Sequence, residues 1–97
     1  MYANGSRTTA SRMTKSAFSD AHRLVVEAVA SARRNAGLHQ AQVAAKLGKN
    51  QSYVSNIERG QRRIDIVEFY ALARAIGVDP RTLFADAVSK FPRDVAV

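Results

Sequence analysis

The fold of this chain is decided by residues 37–63, GLHQAQVAAKLGKNQSYVSNIERGQRR. The spacing of apolar residues predicts one helix over about residues 40–47 and another over about residues 51–59. Gly48 lies between them and tolerates the positive φ that a tight turn needs. Ala44 is small enough for the two helices to cross closely. The segment therefore predicts two short helices joined by a glycine turn.

Four apolar side chains are expected to hold this helix pair in a core: Val43, Leu47, Val54 and Ile57. The small residue, the turn glycine and these four anchors all fall within residues 43–57. Such a combination is typical of a helix-turn-helix, which places its second helix in the major groove of DNA. A plain helical hairpin with a glycine turn is the alternative reading.

Composition limits the classes of protein to which the chain can belong. Its 97 residues are enough for one domain, and 46% of them are apolar. Fifteen Lys and Arg against eight Asp and Glu leave a net charge of +7, which favours a polyanionic partner. Without cysteine, neither a disulfide nor a thiolate zinc site is available. No apolar run reaches the roughly 18–20 residues of a membrane span, and no secretory signal is expected.

Three further helices are predicted outside the quoted segment. The first follows Ser19, a good N-cap, and runs over residues 20–35. Asp65 caps a helix over residues 66–76, and Asp79-Pro80 opens a last one that ends near Val88. The expected core positions of these helices are Leu24, Val25, Ala28, Val29, Ala32, Ile66, Phe69, Leu72, Ala73, Ile76, Leu83 and Phe84. The fold class is therefore all-α, with five short helices.

The chain divides into an arm, a domain and a tail. Residues 1–19 are predicted to be a flexible basic arm, residues 20–88 the folded domain, and residues 89–97 a tail that is either frayed or a partner contact. The arm is a candidate for the DNA minor groove through its basic residues Arg7, Arg12 and Lys15. An inert tail is the other interpretation, and an Arg- and Ser-containing start also resembles an organelle transit peptide.

The quoted segment resembles the DNA-binding domain of the lambda-repressor and Cro type, often called XRE. The resemblance spans about residues 20–88 and includes Arg33 before Gly37, the ending YVSNIERG and the later ALARAIGVDPRTLF. It implies a compact five-helix domain that binds operator DNA as a dimer. Two positions depart from the family pattern: Lys49 stands where an apolar residue is common, and His39 where Ser or Thr caps the helix.

The resemblance places Gln51, Ser52 and Asn56 at the family's base-reading positions. Gln and Asn can each pair with adenine through two hydrogen bonds, and Ser can serve either base type. The family's pattern also implies a structural ion pair between Arg33 and Glu58. Residues expected to contact the DNA backbone are Gln40, Lys49, Tyr53, Ser55, Arg62 and Arg63. For Tyr53, a contact with a base and simple packing against the side of the motif are open alternatives.

The predicted function is that of a sequence-specific transcriptional regulator, specifically a repressor, which reads operator half-sites as a homodimer. Candidate dimer contacts are Phe84, Val88 and Phe91. An antitoxin with a partner protein, a restriction-modification controller and a charge-driven nucleic-acid binder are the alternatives. No metal-ligand spacing, phosphate loop or nucleophile motif is present, so no enzyme, metal or cofactor is predicted. The expected location is the cytoplasm of a bacterium, whether the gene is bacterial or carried by a phage. When bound to DNA, the protein would lie on the nucleoid.

Overall fold

A computed structural model describes residues 20–95 of the chain. Five α-helices form the fold: α1 (Asp20–Asn35), α2 (Gln40–Lys46), α3 (Gln51–Glu58), α4 (Ile66–Ile76) and α5 (Pro80–Val88). The described residues contain no β-strand, and none of these helices is long and apolar enough to cross a bilayer. The predicted all-α, five-helix fold is confirmed. The predicted arm, with Arg7, Arg12, Lys15 and the expected cap Ser19, lies outside the described residues.

Local signals set the helix ends. The Asp65 side chain accepts a hydrogen bond from the Glu68 N–H at 2.7 Å, and the Glu68 side chain accepts one from the Asp65 N–H at 3.1 Å. This reciprocal pair is a capping box, which satisfies two backbone donors at the start of α4. Gly77 ends the same helix in the left-handed conformation, at φ 96°. At the start of α2, the Gln42 side chain accepts from the His39 N–H at 2.7 Å.

The core lies where α1, α3 and α4 meet, with α2 and α5 closing its sides. The five largest side chains that are fully buried are Val29, Val43, Val54, Ile57 and Leu72. Three of these five come from the helix-turn-helix segment. The same residues that hold α2 and α3 together therefore also fix both helices on the rest of the domain, which prevents α3 from shifting relative to the core.

Two of the expected core residues, Ile66 and Phe84, are exposed. Ile66 was placed on the inner face of α4, but it is 84% exposed. It is the first residue of α4, directly after the exit loop (residues 59–65) that joins α3 to α4, and no neighbouring helix covers it. Phe84 was also expected in the core, yet it is 48% exposed and packs edge-on against Phe69 and Phe91. The predicted Leu24, Val25, Ala28 and Ala32 of α1 are only partly buried, and so is Leu47 at the end of α2. The residues of α1 that are buried without having been predicted are Ala21, Val26 and Ala30.

His22 joins α1 to the loop before α4. Its Nε2 atom accepts a hydrogen bond from the Ile64 N–H at 3.1 Å, and only an unprotonated nitrogen can do so. Burial, and then the positive charge of Arg63, lower the pKa of His22 below its ordinary 6.5. The unfolded chain therefore takes up a proton at a higher pH than the folded protein does. This contribution to stability is complete above the ordinary pKa and is lost as the pH falls through the lowered one.

We expect the wild type to lose stability as the pH falls through the ordinary histidine pKa of 6.5 and below, and a His22→Gln variant to lose less. A glutamine Oε1 can accept the same hydrogen bond but does not titrate. Urea denaturation at several pH values measures the difference. His39→Gln is the matched control, because it removes the chain's other histidine. Identical pH profiles for the wild type and His22→Gln would contradict the assignment.

Candidate nucleic-acid interface

The turn between α2 and α3 fixes the angle at which α3 leaves the core. Gly48 has φ 69°, and the Lys49 N–H donates to the Ala44 carbonyl at 2.9 Å. A non-glycine residue rarely adopts this φ without strain. Ala44 is 1% exposed and lies against the core, so the close approach of the two helices requires its small side chain. The arrangement leaves the outer face of α3 open to solvent along its N-terminal half.

A chain of hydrogen bonds runs from α1 through α2 to the start of α3. Arg33 donates to both carboxylate oxygens of Glu58, at 2.6 and 2.9 Å. Gln40 donates its Nε2 to the same carboxylate at 2.8 Å, and its Oε1 accepts from the Gln51 Nε2 at 2.8 Å. The Gln40 amide is thereby oriented by Glu58, and it in turn orients Gln51. A predicted base-contacting side chain is thus held in place before any ligand arrives.

The Arg33–Glu58 pair is largely excluded from water, since the two side chains are 11% and 9% exposed. Burial acts to raise the pKa of Glu58, but the hydrogen bonds from Arg33 and Gln40 together hold that pKa below its ordinary 4.5. The bond to Glu58 likewise raises the pKa of Arg33. Arg33 also donates to the Leu38 carbonyl at 2.8 Å, which ties the loop before α2 to the same pair. Both groups are therefore charged and structural at neutral pH.

Ser52 is exposed at the start of α3, as a base contact requires. Its hydroxyl donates to the Asn50 Oδ1 at 2.6 Å. Asn50 is the N-cap residue of α3, but its side chain accepts no backbone hydrogen bond. Its carboxamide oxygen is occupied by Ser52 instead. The hydroxyl oxygen of Ser52 keeps its acceptor capacity, which suits a donor on a base edge or in the DNA backbone.

Asn56 lies one turn further along α3 and is partly buried. The Arg59 guanidinium binds two side chains of this turn: it donates to the Asn56 Oδ1 at 2.7 Å and to the Ser55 Oγ at 2.8 Å. With its oxygen occupied, Asn56 has its amide N–H groups left to donate. Arg59 was not among the predicted site residues, although its position four residues after Ser55 is the signal that could have identified it.

Tyr53 lies on the side of α3 between two cations. The Lys49 Nζ and the Arg62 Cζ are each 5.3 Å from the centre of its ring. Its hydroxyl donates to the Glu68 Oε2 at 2.8 Å, and the Arg62 Nη2 donates to the same oxygen at 2.8 Å. Burial, followed by the bond to Glu68, raises the pKa of Tyr53, so the phenol stays neutral. Glu68 was missed by the sequence analysis, although the D-x-x-E spacing from Asp65 marks it.

The remaining predicted residues are spread over two surfaces. Arg63 is exposed in the loop that leaves α3, close enough to lower the pKa of His22. Phe84 and Val88 are exposed on α5, and Phe91 of the tail turns back to pack edge-on against Phe84 at 6.5 Å. The structure thus brings the amide and hydroxyl side chains together on α3, with basic residues beside them. Such a surface can hydrogen-bond to base edges and contact phosphates.

Comparisons with known proteins agree with this geometry. The helix-turn-helix family model matches residues 29–83. An uncharacterised HTH-type transcriptional regulator of Sinorhizobium fredii, y4dJ, is 42% identical over 59 residues, which are 61% of this chain and 77% of that protein. An XRE-family like protein from Pseudomonas syringae pv. tomato has a TM-score of 0.70 and 36% identity, covering 75% of this chain and 89% of that one. The restriction-modification controller protein C.AhdI from Aeromonas hydrophila has a TM-score of 0.58 and 35% identity, covering 67% and 97%.

Proposed function

Since the chain belongs to the XRE family of helix-turn-helix DNA-binding transcription regulators, we propose that it reads operator half-sites with α3, as a dimer, and represses transcription there. The observation that carries the proposal is the exposed N-terminal half of α3, where Gln51 is held by Gln40 at 2.8 Å. The role is one of binding and needs no catalytic group. Its site of action is the cytoplasm of a bacterial cell, where operator DNA lies.

We assign base contacts to Gln51, Ser52 and Asn56. A side chain oriented before binding loses less conformational entropy on meeting a base, which favours these held amides as readers. Around them, the proposed backbone contacts are Gln40, Lys49, Tyr53, Ser55, Arg62 and Arg63. These residues fix the register of the protein on the duplex without reading sequence. The arm residues Arg7, Arg12 and Lys15 remain candidates for a minor-groove contact.

The proposed dimer brings two α3 helices to successive major-groove faces, about 34 Å apart on the duplex. One α3 helix reads too few base pairs to select an operator in a genome. The apolar surface formed by Phe84, Val88 and Phe91 supports a contact between two copies, because three neighbouring apolar side chains of α5 and the tail share it.

A Val88→Asp variant tests this interface. Val88 is exposed in the single chain, so we expect the fold to tolerate the change, whereas a carboxylate in an apolar contact must lose its hydration. The dissociation constant of the dimer should rise about tenfold or more. Sedimentation velocity over a series of protein concentrations measures it. Thr82→Asp is the matched control, since Thr82 lies on the side of α5 that faces α1. Equal effects of the two changes would place the interface elsewhere.

Selection of bound duplexes from a random DNA pool, at about 150 mM salt, tests the function as a whole. That salt suppresses binding that depends only on charge, so enriched sequences report on base contacts. We expect an inverted repeat with half-sites one helical turn apart. Binding at low salt without any enriched sequence would contradict the proposal and leave a charge-driven binder or a partner-dependent antitoxin.

A restriction-modification controller is the second candidate, and the likeness to C.AhdI over 97% of that protein favours it. Such a protein would act on the promoter of its own operon. The position of the selected operator in the source genome separates the two candidates: a site upstream of restriction and methylation genes supports the controller. Any other location supports a regulator with different targets.

A further inference from the structure

Glu68 stands at the meeting point of three elements on the edge of the proposed DNA-binding surface. Its Oε2 accepts from the Tyr53 hydroxyl of α3 and from the Arg62 guanidinium of the exit loop, each at 2.8 Å. Its Oε1 accepts from the Asp65 N–H at 3.1 Å. We call Tyr53, Arg62 and Glu68 the exit-loop cluster. The carboxylate therefore links α3, the exit loop and α4 through a single side chain.

Arg62 is held in this cluster on two sides. Glu68 binds its Nη2, and the Tyr53 ring lies 5.3 Å from its Cζ. Its Nη1 is buried and makes no hydrogen bond within residues 20–95. The side chains of Arg62 and Glu68 are 41% and 21% exposed, so the pair stands at the surface with the carboxylate the better covered of the two. The positive charge of Arg62, beside α3, is thus compensated by Glu68 in the absence of DNA.

This compensation has a direct consequence for binding to DNA of any sequence. Affinity for unrelated duplexes comes from cations that displace counterions from phosphates, and each such cation adds to the salt dependence. An arginine bound to a carboxylate contributes less to that process than a free one does. Contacts to base edges do not depend on this charge, because amide and hydroxyl side chains make them.

We propose that Glu68 is a positioning residue that sets the strength and salt dependence of DNA binding: by holding Arg62 against Tyr53, it lowers the contribution of that arginine to phosphate contacts on DNA of any sequence. The inference rests on the proposed function and adds to it a residue that limits DNA affinity through charge, without touching a base. Glu68 suits this role because the start of α4 and the Asp65 N–H keep its carboxylate ionised and fixed.

The test compares the wild type with Glu68→Gln on a duplex of unrelated sequence and on the selected operator. The single oxygen of glutamine can keep the hydrogen bond from the Asp65 N–H, so the capping contact persists. Its amide nitrogen takes the place of Oε2, where it can donate to the Tyr53 hydroxyl oxygen but offers Arg62 neither a charge nor an acceptor. We expect the slope of log K against log salt on the unrelated duplex to steepen by about 0.9 per protomer. Affinity for the operator should rise by a similar factor, because a phosphate contact does not depend on sequence.

Two controls separate this role from a general effect of charge or of folding. Asp86→Asn removes one negative charge from α5, in the groove between α1 and α5, and should leave the slope unchanged. An Arg62→Gln background should abolish the effect of Glu68→Gln, since Glu68 acts through Arg62. An effect that persists without Arg62, or that Asp86→Asn reproduces, would overturn the inference. So would a slope equal to that of the wild type.

The outcome also distinguishes this inference from the proposed function. If the wild type enriches an operator while Glu68→Gln matches it on both duplexes, only the role of Glu68 is overturned. If the wild type shows no preference for any sequence, the proposed function fails, whereas the salt slopes on the unrelated duplex still test the role of Glu68. Melting temperatures of the variants, measured beside the binding curves, show that each one is folded.

Discussion

Replacing Glu58 with alanine is expected to destabilise the domain by about 3–5 kcal/mol, the largest effect on folding among these predictions. The change leaves the Arg33 guanidinium, only 11% exposed, without its carboxylate, and removes the acceptor of the Gln40 amide as well. For a domain of this size the melting temperature should fall by more than about 10 °C. Thermal unfolding followed by circular dichroism measures the shift.

Glu27→Ala is the matched control for this experiment. Glu27 pairs with Arg34 at 3.2 Å, but both side chains are more than half exposed, so its loss should cost less than about 1 kcal/mol. A melting temperature of Glu58→Ala equal to that of the wild type would contradict the structural assignment of the buried pair.

Acid should reduce the difference between the wild type and Glu58→Ala. Because the folded-state pKa of Glu58 lies below its ordinary 4.5, the stability that the carboxylate provides is present above that value. It is lost as the pH falls through the lowered pKa. Denaturation curves for the two proteins should therefore converge in acid, and a constant difference down to the lowest pH would mean that the charge of Glu58 plays no part.

Replacing Gln51 with alanine is expected to cause the largest loss of operator affinity. Each lost pair of base hydrogen bonds costs about 1–3 kcal/mol, and a dimer on an inverted repeat loses two such pairs. The dissociation constant on the operator should rise by roughly 30-fold or more. Affinity for an unrelated duplex should stay within about twofold, because phosphate contacts supply that binding. Fluorescence anisotropy on both duplexes measures the two quantities.

Lys49→Ala provides the contrast to Gln51→Ala. Lys49 is exposed beside Tyr53, and its ammonium is a proposed phosphate contact. Its loss should weaken binding to both duplexes by a similar factor and lower the salt slope by about 1 per protomer. A Gln51→Ala variant that behaves in the same way, losing affinity equally on both duplexes, would show that Gln51 contacts the backbone rather than a base.

The sequence predicted the helices well, because the signals that start and stop them act over a few residues. Gly48 and Gly77 end α2 and α4 by local backbone geometry, while Asp65 and Asp79 start α4 and α5 by hydrogen bonds to donors two or three residues away. Apolar periodicity marked the buried faces of α2 and α3 for the same reason. It was less reliable on α1, where Val26 and Ala30 are buried without having been predicted.

The candidate site was predicted in outline only. The exposed positions of α3 follow from helical spacing, but the contacts of their side chains do not. Gln40 reaches Glu58 across 18 residues, and Tyr53 reaches Glu68 across 15. No local pattern encodes such distances along the chain. The role of the D-x-x-E pair could be read from sequence as a helix cap, but not as an anchor for Arg62.

By itself, the sequence determined the five helices, the glycine turn and the outward face of α3, since each depends on residues within one or two turns of one another. Only the tertiary structure decided which apolar side chains stay exposed. Ile66 and Phe84 carry core-like chemistry, yet they lie where no other helix of the described chain covers them. It also decided that Glu68 neutralises Arg62. Both outcomes depend on the placement of whole helices, which the packing of Val54, Ile57 and Leu72 fixes.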